Sequence, residues 1–170
     1  APMALNNEIS VDGYAAYHSY PNYYDGTKDK HLYDPDRGIH FRTLIRVLAP
    51  DGLIKSFSSG NIKINGSKEV LILIANATSF NGFDKDPVKE GSDYRNIVTR
   101  RMNFAADKTY DALRKSHIAD YKYYFDRVKL NLGKTDMDIA AMSTDKQLRL
   151  YADEQQNNPE LEALYFQFGR

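Results

Sequence analysis

An acidic, tyrosine-rich stretch near the beginning of the chain offers the first side chains that could do chemistry. Residues 25–29 and 34–38 together carry four aspartates. Clustered carboxylates are typical ligands of Ca²⁺. Their spacing does not match an EF-hand loop, however, which needs oxygen ligands at alternate positions and a closing glutamate. The first interpretation of this stretch is therefore a solvated loop rich in turns.

The same stretch could instead contact a sugar. Aromatic rings pack on the C–H faces of pyranose rings, and carboxylates accept hydrogen bonds from sugar hydroxyl groups. On these grounds His31, Tyr33 and Asp34 are the candidate substrate-binding residues. The surrounding sequence is dense in further tyrosines, which are Tyr14, Tyr17, Tyr20, Tyr23 and Tyr24.

His117 and Asp120 form a second candidate pair. They are three residues apart and would lie on neighbouring faces of one helical turn, as a general acid and base could. His117 also falls on an apolar stripe with Leu113 and Tyr121. That stripe favours a packed histidine, hydrogen-bonded across the helices, over a catalytic one.

The histidines show no metal-binding spacing. None of His18, His31, His40 and His117 stands four residues from another, and the chain has no cysteine, so zincin and cysteine-zinc patterns are absent from the sequence. Gly-x-Ser-x-Gly and phosphate-binding glycine loops are absent from it too. We expect no catalytic residue, no metal and no cofactor within these 170 residues.

Composition disfavours two classes of partner. The 23 basic and 23 acidic residues cancel, so the sequence gives no charge-based reason to expect nucleic acid or anionic lipid as a partner. Its longest strongly apolar run, residues 70–75, is far shorter than the roughly 20 residues that span a bilayer. We expect neither nucleic acid nor a membrane as a partner.

The first half of the chain has the patterns of antiparallel strands. Residues 39–47 alternate between mainly apolar and mainly polar side chains. This pattern predicts a strand with Ile45 on a packed face and Arg46 on a wetter one. Further strands are expected over residues 8–14, 53–57 and 61–64. Asn65-Gly66 favours a type I′ turn that would make the last strands a meander. Residues 70–75 are apolar throughout, which predicts burial on both faces.

The second half is mainly helical in pattern. Residues 93–125 have helical periodicity and form one helix or two broken near Asp107. Residues 127–132 alternate again and predict a return strand. Thr144 and Gln147 have capping-box spacing, and Asn158 before Pro159 predicts another helix start. This last helix is expected to continue to Arg170, which would indicate truncation.

Three stretches together resemble glycoside hydrolase family 95, the α-L-fucosidase type. They are residues 73–82 followed by Asp86-Pro87, residues 117–121 leading to residues 125–128, and residues 161–170 with the run Phe-Gln-Phe-Gly-Arg. Their order and spacing extend the resemblance from about Gly38 to the end of the chain. Residues 1–37 match poorly.

The resemblance implies an N-terminal β-sandwich, a helical linker, an (α/α)6-barrel catalytic domain and a C-terminal β-domain. The fold expected for this chain is an α+β fragment: residues 1–90 in the sandwich, 91–133 in the linker with its return strand, and 134–170 as connector and opening helices of the barrel. The family removes terminal α-L-fucose, or in some members L-galactose, with inversion. The partners implied are the catalytic barrel of the same parent protein and a fucosylated glycan substrate, in the periplasm or outside the cell.

Two other classes of function remain open at this point. A stand-alone carbohydrate-binding β-sandwich would bind glycans without hydrolysis. A structural or dimerising module would pair the exposed apolar residues of the last helix with another copy, and these residues are Leu161, Leu164 and Phe168.

Overall fold

The computed structural model describes residues 2–170 and confirms the α+β class, with antiparallel sheets and helices. The strands are β1 (Met3–Leu5), β2 (Glu8–Tyr14), β3 (His18–Ser19), β4 (His31–Leu32), β5 (His40–Leu48), β6 (Leu53–Phe57), β7 (Asn61–Asn65) and β8 (Leu71–Thr78). The helices are α1 (Tyr94–Ala106), α2 (Tyr110–Phe125), α3 (Met137–Ala140), α4 (Thr144–Asp153) and α5 (Pro159–Phe168). The chain divides into a strand unit that extends to Leu113 and a helical unit from Arg114 to Arg170.

The strand unit is built on a four-stranded antiparallel sheet of order β1-β2-β5-β8. Helix α1 covers one face of it, where Val98 and Met102 are fully buried against Leu44 and Ala77. The two helical residues are four apart and so lie on the same face of α1. This contact is the hydrophobic core of the unit.

Two ion pairs flank this core on the same face of the sheet. Arg42 donates two hydrogen bonds of 2.8 Å to the carboxylate of Asp12 on the neighbouring strand. Arg46 donates to Glu8 at 2.6 Å and to Asn103 of α1 at 2.8 Å. Arg42 and Arg46 were expected on the wetter face of the sheet, but α1 covers this face. Their charges are compensated there by the carboxylates of Asp12 and Glu8 on β2.

The predicted meander is wrong. β6 pairs with β7 in a separate hairpin, whereas β8 pairs along its length with β5. Gly66 has a positive φ of 72°, but Asn65 does not, so the two positive φ values of a type I′ turn are not met. The prediction that β8 is buried on both faces is also wrong, since Ile72 and Ile74 are 56% and 68% exposed.

The helical periodicity of residues 93–125 corresponds to two helices. α1 ends at Ala106 with Asp107 as its C-cap, and α2 begins at Tyr110. The return strand predicted for residues 127–132 is wrong, because this fully described segment forms no strand. Its alternation is a local pattern without a neighbouring strand to pair with.

Both predicted helix starts are confirmed, because α4 begins at Thr144 and α5 at Pro159, but only α5 has the predicted cap. Asn158 caps α5, its side chain accepting a hydrogen bond of 2.9 Å from the backbone N–H of Leu161, with Pro159 at the first helical position. Ser143, rather than Thr144, is the N-cap of α4, and the Gln147 amide donates to the carbonyl of Met142 instead of completing a capping box.

Asn158 is also the centre of the polar network of the helical unit. It is 1% exposed. Its side-chain oxygen accepts a hydrogen bond of 2.7 Å from the hydroxyl of Thr135, and its amide donates one of 2.9 Å to Gln147. This single side chain thus joins the connector before α3 to both α4 and α5.

No helix within residues 2–170 combines the length and the apolar character that a membrane crossing requires.

Candidate functional site

The strand unit carries a row of four aromatic rings. The ring centroid of Tyr33 lies 6.4 Å from that of Tyr14, edge to face, Tyr14 lies 5.8 Å from His40, and His40 lies 6.4 Å from Tyr94. β2, β5, α1 and the segment after β4 supply one ring each. Tyr33 is 63% exposed, so the row begins at the surface. The sequence did not predict this row, because His40 and Tyr94 lie outside the acidic, tyrosine-rich stretch.

The three residues predicted to bind substrate have different surroundings. The Nδ1 atom of His31 lies 3.1 Å from the Ser19 hydroxyl oxygen, within the small β3-β4 sheet. Tyr33 belongs to the aromatic row. The Asp34 side chain accepts a hydrogen bond of 2.9 Å from the backbone N–H of Asp36 and so shapes a turn. The sugar-binding role of these three residues stays a prediction.

A cleft of about 340 Å³ lies between α2 and the end of the chain, within the helical unit. The rings of Tyr121 and Phe125 are stacked at 4.8 Å along α2. Arg170 places its guanidinium 4.3 Å from the Phe125 ring and donates a 2.8 Å hydrogen bond to the Phe125 carbonyl. His117 and Asp120 also line this cleft. His117 is exposed, so the prediction of a packed histidine is wrong.

The reason lies in the surroundings of α2. Along its described length this helix buries none of its residues. The apolar stripe that predicted packing is present on α2, but the rest of the described chain leaves it uncovered.

A larger groove, of about 690 Å³, lies between α4 and α5. Its lining is almost entirely apolar and consists of Thr144, Leu148, Tyr151, Leu161, Glu162, Leu164, Tyr165 and Phe168. At one point the hydroxyl of Tyr151 donates a 2.9 Å hydrogen bond to Glu162. This bond, together with the negative charge of Glu162, raises the pKa of Tyr151 above its usual value. The two helices are thereby joined by a polar contact beside an apolar surface.

Residues 2–170 contain no cluster of three or more histidine and carboxylate side chains that could hold a metal ion.

The comparisons with known proteins agree with one another. The family model described as "Glycosyl hydrolase family 95 catalytic domain" matches residues 109–170. "Alpha-L-fucosidase 2" of Arabidopsis thaliana is 25% identical over 140 residues, which are 81% of this chain and 17% of that protein. "Probable alpha-fucosidase A" of Aspergillus niger is 33% identical over 119 residues, which are 66% of this chain and 14% of that protein.

The chain is similar to glycoside hydrolase family 95 in its helical unit and to fucosidase-named proteins over most of its length. The resemblance that residues 117–128 and 161–170 indicated is thereby confirmed. The chain spans less than a fifth of the length of either relative.

The family 95 match includes both clefts of the helical unit. It begins at Thr109, one residue before α2, and so includes His117 and Asp120 as well as the α4-α5 groove. The aromatic row of the strand unit lies outside this match. The proposed domain boundaries near residues 90 and 133 stay predictions.

Proposed function

We propose that this chain is the non-catalytic N-terminal and linker portion of an exo-acting glycoside hydrolase. The whole enzyme would remove terminal α-L-fucose, or L-galactose, from glycans with inversion of configuration. The observation that carries the proposal is the match of residues 109–170 to the family 95 catalytic domain, in a chain that spans only 17% and 14% of two fucosidase-named relatives.

The chemistry of inversion supports placing the reaction elsewhere in the longer protein. An inverting glycosidase uses two groups about 6.5–9.5 Å apart, one to protonate the leaving oxygen and the other to activate water. Each of the two clefts described above has one carboxylate in its lining, Asp120 in the α2 cleft and Glu162 in the α4-α5 groove. The proposal assigns the catalytic pair to the remaining part of the catalytic domain.

The partners follow from the same proposal. They are the rest of the catalytic domain in the same polypeptide and a fucosylated glycan. The periplasm or the cell exterior is the location proposed for the longer protein.

The test is a hydrolysis assay on the 170-residue chain. Incubation with 4-nitrophenyl α-L-fucoside should release no nitrophenol above the buffer rate. Release that is proportional to the chain concentration would mean that the catalytic groups lie within these residues.

Carbohydrate binding without hydrolysis is the second candidate function. The exposed Tyr33 at the end of the aromatic row favours it, because an exposed ring can pack on a pyranose face. Binding to a glycan array by the wild-type chain, reduced in Y33A and retained in the matched exposed variant Y23A, would support this function. Equal binding by both variants would count against it.

A further inference from the structure

The chain contains two Asn-Gly pairs, and the fold gives them different surroundings. They are Asn65-Gly66, where β7 ends, and Asn81-Gly82, which follows β8. An asparagine before a glycine can lose its side-chain amide without an enzyme, because glycine has no Cβ to keep its backbone nitrogen away from the asparagine side chain. Each pair is therefore a candidate site of deamidation.

The reaction needs only these two residues and water. The backbone nitrogen of the glycine attacks the side-chain carbonyl carbon of the asparagine and forms a C–N bond. The side-chain amide nitrogen leaves as ammonia and takes with it the proton of the glycine N–H, so that a succinimide ring remains. Water then opens this ring at either carbonyl, and the product is aspartate or isoaspartate.

Asn65 meets the requirements of this reaction. Its side chain is exposed and forms no hydrogen bond within residues 2–170. Gly66 has a φ of 72°, and an added Cβ would meet no atom within 4 Å, so the space beside its backbone is open. The asparagine side chain can therefore turn toward the Gly66 nitrogen without first breaking a contact or displacing a neighbour.

Asn81 is tied to the loop between β8 and α1. Its side-chain amide donates a hydrogen bond of 2.9 Å to the carbonyl of Glu90. The space beside Gly82 is also narrower, since an added Cβ would lie 3.0 Å from a carboxylate oxygen of Asp84. Attack on the Asn81 side chain therefore has to begin with the loss of a hydrogen bond.

We propose that Asn65 is a site of spontaneous deamidation and that the fold selects it over Asn81. The modification adds one negative charge to a chain whose formal net charge is zero. The proposal stands apart from the proposed function, because it uses no group of a hydrolytic site.

The product changes the end of the β6-β7 hairpin. Asn65 lies opposite Leu53 there, and Asp51 accepts hydrogen bonds of 2.6 and 3.1 Å from the Ser67 hydroxyl and the Lys68 backbone N–H on the same turn. Isoaspartate has one more carbon atom in the main chain than aspartate. Its formation should therefore loosen this end of the hairpin.

The experiment follows both pairs in one sample. The 170-residue chain is incubated at mildly alkaline pH, folded in one series and unfolded in urea in the other. Samples are digested with trypsin at mildly acidic pH, which gives residues 64–68 with Asn65 and residues 69–85 with Asn81. Mass spectrometry measures the fraction of each peptide in which an NH₂ group has been replaced by OH, and fragment ions separate Asn81 from Asn76.

In the folded chain, Asn65 should deamidate at least about fivefold faster than Asn81, a ratio that corresponds to the roughly 1 kcal/mol of one hydrogen bond. In urea the ratio should fall below about twofold, because both pairs then lose their folded surroundings. A ratio that is no larger in the folded chain than in urea overturns the proposal, since the fold would then select neither site.

Two matched variants identify the source of the new charge. Isoelectric focusing of the incubated chain should show an acidic band that N65Q lacks and N81Q retains, because glutamine would have to close a larger ring and reacts more slowly. Circular dichroism of both variants confirms that they are folded. An acidic band in N65Q as strong as that of the wild type would contradict the proposal.

Discussion

Replacing Asn158 with alanine should destabilise the helical unit more than any other single amide substitution within it. The side chain is 1% exposed and makes three hydrogen bonds, to the backbone N–H of Leu161, to the hydroxyl of Thr135 and to Gln147. Loss of a helix N-cap costs about 1 kcal/mol. Each of the two buried or half-buried partners left unsatisfied costs a further 1 kcal/mol or more, so we expect a loss of about 3 kcal/mol.

The measurement is urea unfolding of the whole chain, followed by circular dichroism at 222 nm. A loss of about 3 kcal/mol is a large share of the roughly 5–15 kcal/mol that stabilises a typical domain. N158D should recover part of it, because a carboxylate oxygen can still accept from Leu161 and Thr135. The control is N131A, whose exposed side chain accepts only from the backbone N–H of Gly133.

The control should change stability by less than about 0.5 kcal/mol. If N158A unfolds within that same margin of the wild type, Asn158 is not the centre of the network. A result in which N158D is no more stable than N158A would show that the acceptor role assigned to its side-chain oxygen is wrong.

Three further changes test the packing and the electrostatics. M102A should destabilise the strand unit by about 2–5 kcal/mol in urea unfolding, because Met102 is fully buried. The hydrogen bonds from Arg42 lower the pKa of Asp12. The ionised carboxylate therefore adds folding stability above about pH 3.9, and this stability is lost as the pH falls through the pKa of the folded state. D12N should flatten the acid side of the plot of stability against pH. The contact with Glu162 raises the pKa of Tyr151, so stability falls as pH rises above about 10, and Y151F should remove that fall. A profile of D12N or Y151F that parallels the wild type would contradict the corresponding contact.

Local patterns predicted individual elements well. The strands Glu8–Tyr14 and Leu53–Phe57 have the bounds that alternation and flanking turns predicted. The cap at Asn158 could also be predicted from the sequence, because asparagine is favoured at the N-cap and proline at the first helical position.

Pairing and burial depended on contacts that local patterns do not contain. β8 pairs with β5, about thirty residues away, rather than with β7. Residues 127–132 alternate like a strand but have no strand beside them. The local pattern of β5 did not show that the face with Arg42 and Arg46 is covered by α1, because it does not reveal that Asp12 and Glu8 lie opposite these arginines.

The candidate site shows the same division. The sequence located His31, Tyr33 and Asp34 as a dense polar and aromatic stretch, but it did not connect Tyr33 with the rings of His40 and Tyr94. Only the fold brings rings from β2, β5 and α1 into one row. The α4-α5 groove was anticipated in part, since Leu164 and Phe168 were expected to be exposed, whereas Leu161 is buried.

The central claim is that the groups that hydrolyse the glycoside lie outside these 170 residues. Its most direct measurement is the steady-state release of 4-methylumbelliferone from its α-L-fucoside by the chain at high concentration, compared with the H117A/D120N variant. The rates of 4-methylumbelliferone release with the wild type and with the variant should both equal the rate in buffer alone. Saturable turnover by the wild type that disappears in the variant would place catalysis in the α2 cleft and contradict the account.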